Sequence, residues 1–177
     1  MIFYHVDRLG LLQENQTILL SKDFPHYLNS YKKTILKLYP DGLSNHGLQY
    51  GIIPIQPINQ YELNLKENQI IENIFELNRQ IYFPNILSRF QSFFCFKSLK
   101  EAIDFFSNEL ETYPNIQIFE INTSDKNIFI GDMQWLNGTT VITAHENSIK
   151  YWSGTLSDNP KIEILVKPPI KIGLKIQ

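Results

Sequence analysis

Apolar and polar positions recur along this chain with periods that mark out its elements. Residues 2–7, Ile2-Phe3-Tyr4-His5-Val6-Asp7, read as a strand that Asp7-Arg8-Leu9-Gly10 ends. Period-2 alternation sets His5 and Asp7 on one face and Tyr4 and Val6 on the other. Residues 17–21 predict a short partner strand after the polar turn Gln13-Glu14-Asn15-Gln16. Tyr27, Leu28, Tyr31, Ile35 and Leu38 repeat at helical spacing and predict a helix over residues 26–38, stopped by Tyr39-Pro40-Asp41-Gly42. The run from Gly42 to Gly51 holds three glycines and reads as a loop, and Pro54 and Pro57 keep the chain extended beyond it. The clearest helix covers residues 67–82, with Asn68 as its cap and Ile71, Ile74, Phe75, Asn78 and Ile81 on one face.

The second half alternates strands and helices. Leu87 to Phe96 is an aromatic-rich strand candidate. Ser98 and Glu101 make a capping box, and Leu99, Ala102, Ile103, Phe106 and Leu110 supply the buried face of the helix behind it. Residues 116–121 and 127–131 predict two more strands. A third helix over residues 139–152 lies between Gly138 and Gly154, with Val141, Ala144, His145, Ile149 and Trp152 near one face. Ile162 to Val166 is a β-branched and apolar run between Pro160 and Pro168-Pro169, and Ile170 to Ile176 reads as an edge strand with outward lysines. Together these predict one α+β domain over residues 1–177, with no internal repeat or linker.

Composition adds bounds. The chain has 177 residues, 43% of them apolar and 13% aromatic, enough for a core without staples. A net charge of -2 argues against broad attraction to nucleic acid or anionic membrane. The lone cysteine, Cys95, lies in an apolar run and reads as a buried inert thiol. No zinc spacing occurs, and no run is long and apolar enough for a membrane span. The opening residues lack the basic region of a signal peptide, so a cytosolic protein is expected, resident or delivered into another cell.

One residue breaks its pattern. Glu163 sits in the middle of the 162–166 strand. An unpaired carboxylate inside a sheet costs several kcal/mol, so such a residue gains a partner, opens into a cleft or is used. On spacing alone, alternation turns it to solvent, opposite Ile162 and Ile164.

Several stretches together resemble the ADP-ribosyltransferase superfamily, the fold of the cholera-toxin and diphtheria-toxin catalytic domains and of the nucleic-acid modifier DarT. Phe3-Tyr4-His5-Val6-Asp7-Arg8 is similar to its first strand, Ser88 to Phe94 with the helix containing Ala102 to its middle strand and helix, and Glu163-Ile164-Leu165-Val166 to the late strand bearing the catalytic glutamate. Tyr-His-Val-Asp-Arg, Gly-Leu-Ser-Asn-His-Gly, Ser-Arg-Phe-Gln-Ser and Tyr-Trp-Ser-Gly, followed by Glu-x-Leu-Val, resemble a small bacterial family of unassigned function placed in that superfamily. The resemblance implies a split, mixed or antiparallel sheet core with flanking helices. It implies a mono-ADP-ribosyltransferase that uses NAD as co-substrate and no metal, in a bacterial toxin, effector or phage-defence component. Its partners would be a macromolecular acceptor, protein or nucleic acid, and an antitoxin or immunity protein.

The chemistry suits the residue types. Cleaving nicotinamide from ribose develops positive charge that a fixed carboxylate, Glu163, stabilises. Under the resemblance, Ser92 orients Glu163, with an ordinary strand serine as the other reading. His5 contacts the adenosine ribose or the nicotinamide amide, or is a half-buried imidazole. Arg8 and Arg89 suit the pyrophosphate through their forked donors, or form ordinary ion pairs. His46 and Tyr50 close over the cofactor or belong to a plain loop. Tyr151 and Trp152 stack on nicotinamide or a target base, or are core. Two departures stand out. Lys161 holds the place where arginine-modifying members carry a glutamate, and the paired tyrosines of the diphtheria type are not found with His5. The acceptor stays open, and so do an NAD glycohydrolase of the same fold and a non-catalytic binding module.

Overall fold

The computed structural model describes residues 1–54, 60–124 and 127–177, and the side chains of the helix beginning at residue 60 from residue 66 onward. The expectation placed on Pro57 lies outside these residues. The chain is α+β, with two antiparallel sheets and five helices among the described residues.

The first sheet runs β1 (Ile2–Asp7), β4 (Gln117–Asn122), β7 (Ile170–Lys175) and β2 (Thr17–Ile18), in that spatial order. The second runs β3 (Phe93–Cys95), β6 (Ile162–Val166) and β5 (Ile128–Asp132). The helices are α1 (Lys32–Leu38), α2 (Asn45–Gly47), α3 (Gln60–Tyr82), α4 (Leu99–Glu109) and α5 (Val141–Trp152).

Several expectations shift. α3 begins at Gln60, so Asn68 stands inside it rather than capping it. Its exposed side carries Ile81, which the helical pattern had placed on the buried face. Residues 26–31 wind as a 3-10 turn before α1. Only Phe93–Cys95 of the 87–96 run is strand, because Arg89–Gln91 coils into a 3-10 turn capped by Ser88. β2 pairs with β7 and not with β1. β7 is interior, between β4 and β2, although Lys171 and Lys175 do point outward. Its six-residue alternation looks like an edge because β2 covers only two of its residues. The capping box at Ser98 and Glu101 forms as expected.

Among the described residues one backbone bridge joins the sheets. Tyr4 and Phe96 exchange backbone hydrogen bonds at 3.0 and 2.7 Å, and then the strands part. A core of Phe3, Phe119, Ile121, Ile164, Val166 and Ile172 fills the space between the sheets. On the far side of the second sheet, Leu165 packs against Phe75 of α3 and Tyr151 and Trp152 of α5. β6 is therefore the middle strand of its sheet and is covered on both faces. This decides the fate of Glu163. It shares parity with Leu165 and opposes Ile164, as alternation requires, but its face meets two helices and not water.

Candidate functional site

Beyond the Tyr4–Phe96 bridge the diverging strands border a cavity of about 530 Å³. The end of β1 and its turn contribute His5, Asp7 and Arg8. α4 and the loop after it contribute Phe105 and Tyr113, and β3 contributes Phe94. α3 supplies Glu72 and β6 supplies Glu163, while the glycine-bearing run, expected as a loop, is helical here and supplies His46 from α2 and Tyr50 from the turn Leu48–Ile52 that continues it. The late carboxylate and the early imidazole thus share one hollow. Its size lies within the roughly 300–1,000 Å³ usual for ligand sites.

Glu163 is 4% exposed and takes two partners on one oxygen. The Tyr151 hydroxyl donates to its Oε1 at 2.6 Å, and Arg89 Nη1 donates to the same oxygen. Arg89 reaches further. Its Nε and Nη2 bind Glu72 Oε2 and Oε1, both at 2.9 Å, and its Nη1 also donates to the Tyr151 hydroxyl at 3.0 Å. The guanidinium lies over the Phe94 ring, 4.8 Å from its centroid. One cation therefore joins two carboxylates that are otherwise stranded in low dielectric. Burial works against the charge on Arg89, but Glu163 and Glu72 outweigh it and hold the group charged. Burial likewise pushes the Glu72 carboxyl up, yet Arg89 and then His46 overcome it and hold it well below the usual carboxylate range. Tyr151 is pushed up by burial and then by the Glu163 charge, so its hydroxyl stays protonated and donates.

His5 makes a different contact. Its Nδ1 lies 2.7 Å from the Phe94 carbonyl oxygen. A carbonyl only accepts, so Nδ1 carries the proton and Nε2 is left as an acceptor. Burial lowers the pKa of the ring more than this bond raises it, so His5 is neutral at neutral pH. Its ring packs on Phe93, with centroids 4.2 Å apart. His46 sits among the rings of Tyr50, Phe94 and Phe90, and its Nε2 lies 3.2 Å from Glu72 Oε2. Arg8 pairs with Glu109 at 2.9 Å and stays 45% exposed.

The sequence candidates divide on this geometry. His5, Arg8, His46, Tyr50, Arg89 and Glu163 all border the cavity. Arg89, however, gives its fork to Glu72, Glu163 and Tyr151 and not outward, so it does not suit a pyrophosphate. Ser92 donates to the Ser88 carbonyl at 2.7 Å, which leaves Tyr151 and Arg89 to orient Glu163 in its stead. Tyr151 is fully buried and touches the site through its hydroxyl, so its ring has no open face for stacking. Trp152 is 1% exposed, with its indole N–H on the Phe75 carbonyl at 2.8 Å, and belongs to the core.

Glu72 was missed. A signal for it exists in α3, where Glu72 and Glu76 stand one turn apart, next to the buried side of the helix. Leu77 lies 56% exposed while Glu76, Asn78 and Arg79 are buried, an inversion that marks a polar helix face turned inward. Glu76 takes Arg79, Ser88 and Tyr39 in a second buried cluster that clamps α3 to the segment leading into β3. No group suited to a metal ion occurs among the described residues. No helix among them is long and apolar enough to cross a membrane.

Over residues 3–177 the chain matches the model of a family described as a protein of unknown function, DUF2441. It belongs to that family. Among curated proteins, none matches the chain. The DUF2441 match spans both sheets, so β1 with His5 and β6 with Glu163 fall inside one family unit.

Proposed function

We propose that this DUF2441 protein is an NAD-dependent mono-ADP-ribosyltransferase that passes ADP-ribose from NAD to a macromolecular acceptor, protein or nucleic acid. The observation that carries the reading is that Glu163 and His5, from opposite ends of the chain, border one cavity where the sheet splits. A carboxylate mounted on the middle strand of a sheet is fixed in place, as electrostatic stabilisation of a ribosyl cation requires. The buried group of one arginine and two glutamates leaves one surplus negative charge on the cavity wall, which favours a developing cation. Neutral His5, with Nε2 as an acceptor, suits the amide N–H₂ of nicotinamide or a ribose hydroxyl. Arg8, half exposed at the rim, is the arginine suited to the pyrophosphate, and Tyr50 and the rings of Phe105 and Tyr113 offer apolar walls. A role in toxicity, delivery or phage defence, with an antitoxin or immunity partner, goes with this reading and has the sequence resemblance as its support.

The test is incubation with labelled NAD and a cell lysate, comparing the native chain with Glu163→Gln while nicotinamide release is followed. The native chain should label a macromolecule, and the variant should lose about 100-fold or more in rate. Arg89 keeps Glu72 in that variant, so the fold should survive, and melting temperatures check this. Equal rates for both proteins would remove Glu163 from the chemistry. Absence of both label and nicotinamide release from the native chain would remove the enzymatic reading. Nicotinamide release without any labelled macromolecule would identify water as the acceptor.

A further inference from the structure

We infer that His46, whose Nε2 faces Glu72, is the proton acceptor for the group that takes the ADP-ribose. This rests on the transferase reading above. His46 borders the same cavity as Glu163, but from the opposite side of the Arg89 guanidinium. Its Nε2 is buried and faces Glu72 Oε2 at 3.2 Å, without a formed hydrogen bond. With Nε2 turned to a carboxylate, Nδ1 is the nitrogen left for a substrate proton, the arrangement that makes an imidazole a base.

The mount is rigid. The Ser44 hydroxyl accepts from Gly47 N at 3.2 Å and donates to the Phe90 carbonyl at 3.1 Å. Gly47 lies so close to that carbonyl that a Cβ there would stand 2.2 Å from the oxygen. Such packing pins His46 in position. The titratable and charged groups around the ring are Glu72 from α3, Tyr50 from its own segment and Arg89 beyond Glu72. β3 and the turn before it face the ring with Phe94 and Phe90.

The step balances. The bond from C1′ to the nicotinamide nitrogen breaks, and its electron pair neutralises the pyridinium. The acceptor's lone pair forms the new bond to C1′, and the acceptor's proton passes to His46. The acceptor is therefore a neutral protic group.

The experiment measures nicotinamide release from NAD in buffer, with water as acceptor, and label transfer from NAD in lysate, across pH, for the native chain, His46→Asn, His46→Gly and Glu72→Gln. His46→Asn should slow the reaction about 100-fold near neutral pH and flatten the acid limb of the native profile. NAD should still raise its melting temperature as it does for the native chain. Added imidazole should restore part of the rate of His46→Gly, which no structural role predicts. Glu72→Gln should also slow the reaction, because His46 Nε2 loses the carboxylate it faces. An active native chain with a His46→Asn variant of unchanged rate and profile would overturn the inference alone. Folded His46 variants that are slow but not rescued by imidazole, with the native acid limb intact, would also overturn it. A native chain that neither releases nicotinamide nor transfers label would take down the transferase reading and this inference with it.

Discussion

Replacing Arg89 with methionine tests whether one cation holds the site together. Methionine keeps an apolar stem over Phe94 but removes every donor to Glu72 and Glu163. The side chains of Arg89, Glu72 and Glu163 are 6%, 13% and 5% exposed, so water offers the two carboxylates little relief. Breaking a buried pair by removing one partner costs about 3–5 kcal/mol. For a chain of this size each kcal/mol moves the melting temperature by about 2–4 °C, so a fall of roughly 6–20 °C is expected near neutral pH. The sign with pH is also set. In the native chain Glu72 titrates below its ordinary range, so its contribution is present above the unfolded pKa and is lost as pH falls through the folded one. In Arg89→Met that cation is gone and only His46 opposes burial, so the carboxyl moves up and protonation relieves the variant. The stability gap should therefore narrow between about pH 7 and about pH 5, and adding Glu72→Gln to Arg89→Met should recover part of the loss, the part due to Glu72 and not to Glu163. Urea denaturation of the three proteins at both pH values measures this. A loss below about 1 kcal/mol, the worth of an exposed pair, or a gap that does not narrow on acidification, would refute the reasoning.

Three other outcomes are expected. Tyr151→Phe removes a donor to Glu163 and an acceptor for Arg89 and should cost about 1.5–3 kcal/mol in urea denaturation; a change under about 0.5 kcal/mol would show that the hydroxyl holds nothing in place. Gly131 pairs across from Glu163, and a Cβ there would stand 2.4 Å from Tyr151 Cε2, so Gly131→Ala should cost about 1–3 kcal/mol by pushing that ring; an unchanged denaturation midpoint would contradict it. Burial pushes the Cys95 thiol up and leaves it 1% exposed, so a thiol reagent should label it only as fast as the chain unfolds, and rapid labelling of the native protein would contradict this.

Local pattern carried much of the fold. The helix behind Ser98 was legible because a capping box and an apolar face act within one turn of chain. β4, β5 and β6 were legible from β-branched runs and alternation, which depend on neighbours two residues away. The start of α3 and the coil at Arg89–Gln91 were not. Asn68 has the chemistry of a cap wherever it stands, and Arg89 to Phe94 alternates as a strand would. The site divided the same way. That Glu163 was unusual could be read from where it stands in its strand, and His5 entered through the resemblance, but their meeting could not be read from either.

The chain's own order of residues determined which strands exist, which faces they present and that a carboxylate would interrupt β6. Only tertiary structure decided that helices α3 and α5 would cover that carboxylate, that Arg89 would turn inward to two glutamates, and that β7 would lie inside its sheet. The physical reason is range. Propensity and periodicity act over a few residues, whereas the solvation of Glu163 is set by Arg89, 74 positions away, and by Tyr151 of the helix packed on its face of the sheet.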